Sequence, residues 1–275
     1  MAKQYFSPTL QKTIFMKNLK FLILVLIILP FLWGCPRNPV EKVIQPKMGS
    51  SENPPASGFD FANSDIKAIN IADKVMEAMG GRKSYDNTRY LFWNFFGSRT
   101  LLWDKKEGNV RIESQKDEYT VVMNIHTMKG KVKMKGEVLS NPDSLTKYLQ
   151  MGKNLWINDS YWLVMPFKLK DSGVTLTYVG EEEVNGKTND VLELRFKNVG
   201  KTPENKYQIF VDQSTNLVSQ WSFYPKADDT EPRFITPWDG YVKHGEILLS
   251  GGRGKYELTE IKVMDKVGDA VFEKF

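Results

Sequence analysis

The sequence predicts an α+β fold dominated by antiparallel strands, and three observations carry that prediction. From Tyr90 onward, apolar residues recur with period two in run after run, the spacing of strands with one buried face. Short turn signals divide the runs: Asp104–Gly108, Met128–Gly130, Asn185-Gly186 and Asp212–Asn216. Connections that brief join antiparallel neighbours and leave no room for the crossovers of a parallel sheet. Helical signals stand apart from these runs, before the first strand and after Asn141.

The first element is a helix over 65–79. Ile66, Ile69, Ala72, Val75, Met76 and Met79 form one apolar stripe, Ser64 is its expected cap, and Gly80-Gly81 supplies a left-handed stop. Strands are then expected at Tyr90–Phe96, 100–104, 109–114, Tyr119–Ile125 and Lys131–Val138. In the fourth, Tyr119, Val121, Met123 and Ile125 share a face; in the fifth, Val132, Met134 and Val138 oppose lysines. Asn141 and Pro142 read as a helix cap and first turn. They open an insertion over 142–168 that carries Trp156, Tyr161, Trp162, Met165, Pro166 and Phe167. So much non-alternating apolar surface has to lie against the sheet or across an opening. Strands resume at 174–181, 190–197, 206–212, 216–224, 233–238, 245–249 and 255–265, making roughly eleven or twelve. Gly251–Gly254 is expected as a hairpin loop between the last two.

The N-terminal part carries a different message. Met16 is the expected start, because Lys17 and Lys20 immediately precede the apolar run Phe21–Leu32. That run is shorter than the ~20 residues of a spanning helix and has the length of a signal-peptide core. Leu32-Trp33-Gly34-Cys35 resembles a bacterial lipobox, so residues 1–34 read as a signal peptide and Cys35 as a lipidated first residue. Two or more acyl chains, at ~0.8 kcal/mol per buried methylene, hold such a chain stably at a membrane. Residues 35–64 are rich in Pro, Gly, Ser and Asn without periodicity, and are expected to form a flexible tether. Residues 65–275 contain no linker-like stretch and read as one domain.

Composition excludes several functions. The formal net charge is +5, but Lys3, Lys12, Lys17 and Lys20 supply four of those charges within the signal peptide. The remainder is nearly neutral and gives no reason to expect nucleic acid. One cysteine rules out an internal disulfide, and His126 and His244 stand without the neighbours of a zinc site. Neither a Gly-x-Ser-x-Gly elbow nor a phosphate-binding glycine loop is present. Glu181–Glu183 and Asp228-Asp229 read as solvated charge runs. No catalytic residue, metal or cofactor is expected, and the chain does not read as an enzyme.

A lipidated chain with one helix, a long antiparallel meander and an aromatic helical insertion resembles a superfamily. It is that of the outer-membrane lipoprotein-sorting and periplasmic lipoprotein-carrier proteins (LolA/LolB-like). Within it, Tyr161–Gly173, Asn185–Lys187, Val199–Pro203 and Lys206–Asp212 resemble recurring segments of a Bacteroidetes-type lipoprotein family. The resemblance spans roughly residues 65–265. It implies an unclosed β half-barrel of about 11 strands, with the N-terminal helix and the insertion over its concave face, holding acyl chains. Burial arithmetic points the same way: the large apolar side chains of the insertion, left in water, would forgo several kcal/mol at ~25 cal/mol per Å². Trp156, Trp162, Met165 and Phe167 are therefore expected over a sheet face carrying Trp93, Met123, Met134 and Trp221, walling a groove or filling it as solid core. The expected protein is a monomeric, membrane-anchored lipoprotein that binds lipid or lipoprotein acyl chains. The alternative is an envelope module that reads a protein or peptide partner without lipid cargo. No acidic cluster follows Cys35, which among lipoproteins of this type favours the periplasmic face of the outer membrane.

Overall fold

The computed structural model describes residues 50–197, 204–268 and 270–275. The expected signal peptide, Cys35, the first part of the tether and the family-like segment Val199–Pro203 lie outside the described residues. Helix α1 spans Ile66–Ala78 and a short α2 spans Arg82–Asn87. Strands β1 (Tyr90–Phe95), β2 (Arg99–Asp104), β3 (Asn109–Ser114), β4 (Tyr119–Asn124), β5 (Gly130–Met134) and β6 (Glu137–Val138) follow as a meander. Helix α3 (Pro142–Val164) leads to β7 (Val174–Val184), β8 (Lys187–Phe196), β9 (Lys206–Asp212), β10 (Val218–Tyr224) and β11 (Phe234–Pro237). The chain finishes with β12 (Asp239–His244), β13 (Ile247–Arg253) and β14 (Tyr256–Met264).

These strands form two antiparallel sheets. The nine-stranded sheet runs β12-β13-β14-β1-β2-β3-β4-β5-β6, and the five-stranded sheet runs β11-β10-β9-β8-β7. They meet along one side, where Trp238 N–H donates to Ser219 O at 2.7 Å and Tyr241 Oη donates to Val218 O at 2.9 Å. At the other side β6 and β7 do not pair, so the half-barrel is open, and α3 crosses from one sheet to the other. The α+β class, the unclosed sheet and the helical insertion agree with the sequence reading.

Several details differ. Fourteen strands occupy the described residues, because two expected features were hidden. The expected strand Lys131–Val138 is a hairpin, since Lys135 and Gly136 turn at φ 48° and 85°. β12 is an exposed edge strand of sequence Asp-Gly-Tyr-Val-Lys-His, with no buried face to leave an alternating signature. Gly251, Gly252 and Arg253 lie inside β13 rather than in a loop, and only Gly254 turns, at φ 69°. Gly251 is needed in the strand because a Cβ there would stand 2.6 Å from Leu258 O.

The cap of α1 is Asp65 rather than Ser64. Both side chains are committed to β7: Ser64 Oγ accepts from Leu176 N–H at 3.0 Å and Asp65 Oδ2 from Tyr178 N–H at 2.8 Å. Residues 50–64, expected in the tether, likewise pack onto the domain. Phe59 and Asn53 are buried, Ala56 N–H donates to Lys170 O at 2.9 Å, and Asp60 N–H donates to Val174 O at 3.0 Å. The buried Lys170 ammonium closes this strap by bonding Asn53 O and the Asp73 carboxylate.

Candidate functional site

The site is built around α3. Asn141 Oδ1 accepts from Ser144 N–H at 2.9 Å and Pro142 opens the first turn, as the sequence predicts. The helix ends just before Pro166, which has no N–H to continue it. Three contacts fix it over the concave face. Gly152 lets the helix approach β4, where a Cβ would stand 2.8 Å from Val121 Cγ1. Arg99 grips Asp159 through Nε and Nη2. The buried Arg253 donates from Nη2 to Trp162 O at 2.7 Å, placing a cation at the negative end of the helix, and stacks on Trp238.

The eight residues expected to wall a groove all join one apolar cluster, but most of them fill space. Trp93, Met165, Phe167 and Trp221 are at most 1% exposed and Met123 is 3% exposed. Trp162 stands edge-on to Trp221 at 4.6 Å between ring centres, and Phe167 stacks on Tyr85 at 4.2 Å. Met134, Trp156 and Trp162 are half-buried. The interior under α3 is thus largely solid.

Open space remains where the two sheets part. A cleft of about 310 Å³ lies between β2, α3 and the start of the small sheet. Trp103, Trp156, Ile157, Tyr161, Val174 and Phe196 make its walls, and Lys168, Asp171 and Ser172 stand at its rim. Its volume is at the lower end of the ~300–1,000 Å³ typical of small-molecule sites. Trp103 and Trp156 meet edge-on at 5.3 Å. Tyr161 faces Tyr207 at 5.8 Å, and burial drives both phenols upward, Tyr207 to about 12, so both are neutral hydroxyls at physiological pH.

Of the eight expected residues only Trp156 lines this cleft. Trp103 and Phe196 were missed. A signal existed for Trp103, which shares its strand face with the core residue Leu101. Among the described residues, no three His, Cys, Asp or Glu side chains converge as a metal site, and no helix is long and apolar enough to cross a membrane.

With this geometry in place, the fold defines an open antiparallel half-barrel with a helix laid across its mouth. Solved structures of similar layout include a DUF1329 family protein from Desulfovibrio piger, at 15% identity and TM-score 0.41, covering 75% of this chain and 97% of that one. An outer membrane lipoprotein-sorting protein domain from Vibrio parahaemolyticus follows at 9% identity and TM-score 0.35, covering 74% of this chain and 97% of that one. A LolA superfamily protein from Nitrosomonas europaea matches at 13% identity and TM-score 0.32, with the same two coverages. No family model matches this chain, and no curated protein matches it.

Proposed function

We propose that the protein binds the apolar part of a lipid, or of an acylated protein, in the cleft between α3 and the two sheets. It does so as a lipid-anchored protein of the cell envelope, held through Cys35. One observation carries this reading: beside a largely buried core, α3 and the two sheets border an apolar cleft with aromatic walls and a polar rim. A polar end beside an apolar body is the shape complement of an amphiphile. Trp103, Trp156, Tyr161 and Phe196 present large faces to a chain without hydrogen-bond demands. No role in the cleft calls for a nucleophile or a general base, so the reading is of a binding protein.

The test uses the neutral fluorophore N-phenyl-1-naphthylamine. Its emission should rise on mixing with the protein and fall again as a long-chain lipid displaces it. Ile157→Trp, which fills the cleft from the half-buried face of α3, should abolish the signal while leaving the circular dichroism spectrum and melting temperature intact. Mass spectrometry of native protein purified without detergent should also release acyl chains.

A second reading has its own observation. Phe234, Ile235, Val242 and Tyr256 are exposed by 37%, 57%, 56% and 52% near the seam of the two sheets. Such apolar surface suits a protein or peptide partner in the envelope. An empty cleft that fails to bind the fluorophore would favour this partner-reading module.

A further inference from the structure

The walls of the cleft say nothing about the ligand's head, but the charges at its mouth do. Lys168 stands on the rim, directly after Phe167. The Phe167 ring stacks on Tyr85 at 4.2 Å, and the Lys105 ammonium sits 3.5 Å from the centre of that same Tyr85 ring. Lys105 also donates to Tyr85 O. Lys105 lies just past the end of β2, two residues after the wall residue Trp103, so it stands beside the cleft rather than in its lining.

The charges here do not cancel. Lys168 is paired with Asp171, and Arg82 is paired with Asp86 at 3.5 Å. Lys105 has no carboxylate within ion-pair distance among the described residues. Three cations thus face two carboxylates. The third cation sits against the Tyr85 ring, where burial, aided by Arg82 and Lys168, brings its ammonium down to about 8 against the opposing pull of Asp86. A partly desolvated ammonium with only a carbonyl and a ring for company lacks the anion that its charge favours.

We propose that the cleft selects amphiphiles with an anionic head, of the fatty-acid carboxylate class, the chain lying between Trp103 and Phe196 and the head meeting Lys105 and Lys168. This rests on the apolar-ligand reading above and adds the chemistry of the head. An anion at this position completes the charge count, and Asp171 can exchange its share of Lys168 for it.

The experiment displaces N-phenyl-1-naphthylamine from the full-length protein with dodecanoate, with dodecanol of equal chain length, and with inorganic phosphate alone, at pH 7 and low salt. Dodecanoate should displace the probe at about tenfold lower concentration than dodecanol, the ratio of one added charge-assisted contact. The advantage should shrink in 1 M salt. Lys105→Met with Lys168→Met should erase it and leave dodecanol unchanged. Should the double variant fold poorly, Lys168→Met alone, at the half-exposed rim, should lower the ratio several-fold. Equal displacement by dodecanoate and dodecanol, or a preference that survives both substitutions, overturns the anionic-head inference and leaves the apolar cleft standing. Displacement by phosphate at the same concentration as dodecanoate also overturns it, since the head would then bind without its chain. No probe binding in any arm overturns both readings.

Discussion

Arg99 at the start of β2 and Asp159 in the last quarter of α3 form a two-pronged ion pair, Nε to Oδ2 at 2.6 Å and Nη2 to Oδ1 at 2.7 Å, with the carboxylate fully buried. Burial pushes the Asp159 carboxyl up from its ordinary range, and Arg99 opposes that rise. Two parallel hydrogen bonds set both the height and the rotation of α3 over the large sheet.

Breaking one side of that pair should be costly. Arg99→Met strands a buried carboxylate and is expected to destabilise the domain by about 3–5 kcal/mol. Combining it with Asp159→Leu should recover most of the loss, because the apolar pair has no desolvation to offset. Chemical denaturation of the two single variants and the double variant checks this; a double variant as unstable as Arg99→Met would show that the pair's charge is not what matters.

Acid sensitivity should come from a different carboxylate. Burial alone would raise the Asp212 carboxyl, but hydrogen bonds from Ser214 and Lys187 outweigh it and hold it down to about 2. A depressed carboxylate stabilises the fold above its unfolded value near 4, and that contribution disappears as pH falls through about 2. The shift corresponds to about 2 kcal/mol. Urea midpoints of wild type and Asp212→Asn should therefore differ at pH 7 and converge near pH 2; parallel curves over that window would contradict the assignment.

Trp162 separates core from cleft. It touches Trp221, Phe96 and Phe234, at 4.6, 5.4 and 5.9 Å between ring centres, and does not line the open space. Trp162→Ala should cost about 3 kcal/mol, the lower end for large aromatic truncations because the ring is half-buried. Fluorophore affinity should stay within twofold of wild type. Loss of binding without loss of stability would move the ligand to the Trp162 side of the helix.

The lipid anchor has its own test. Cys35→Ser should shift the full-length protein from the membrane to the soluble fraction and remove incorporation of a palmitate analogue. Persistent membrane partition with persistent labelling would overturn the lipobox reading.

These cases also show what a sequence can disclose. Alternation at Tyr119, Val121, Met123 and Ile125 marked β4 because all four bury one face. Asn141-Pro142 marked the start of α3 because cap chemistry is local. β12 gave no such sign, since an exposed edge strand has no inner face to reveal. Ser64 looked like a cap, and only the neighbouring β7 edge explains why its hydroxyl is used elsewhere. The cleft was the least legible part. Trp156 and Trp103 come from a helix and a strand that α3's crossing brings together, and no spacing in the chain encodes the width left between two sheets.

The pairing of β1 with β14 fixes when the molecule can be finished. Tyr90 lies beside Met264 and Phe95 beside Leu258, so a strand made early waits for one of the last to be made. Until then β1 offers a raw edge, with Leu91 and Trp93 already committed to the interior. The five-stranded sheet, complete by Pro237, has all its partners in hand sooner. Assembly of the large sheet is therefore a late step of long sequence separation, slow by its topology. A product truncated before Tyr256 would lack the closing strand altogether, leaving a sticky margin for aggregation or for a quality-control protease to find.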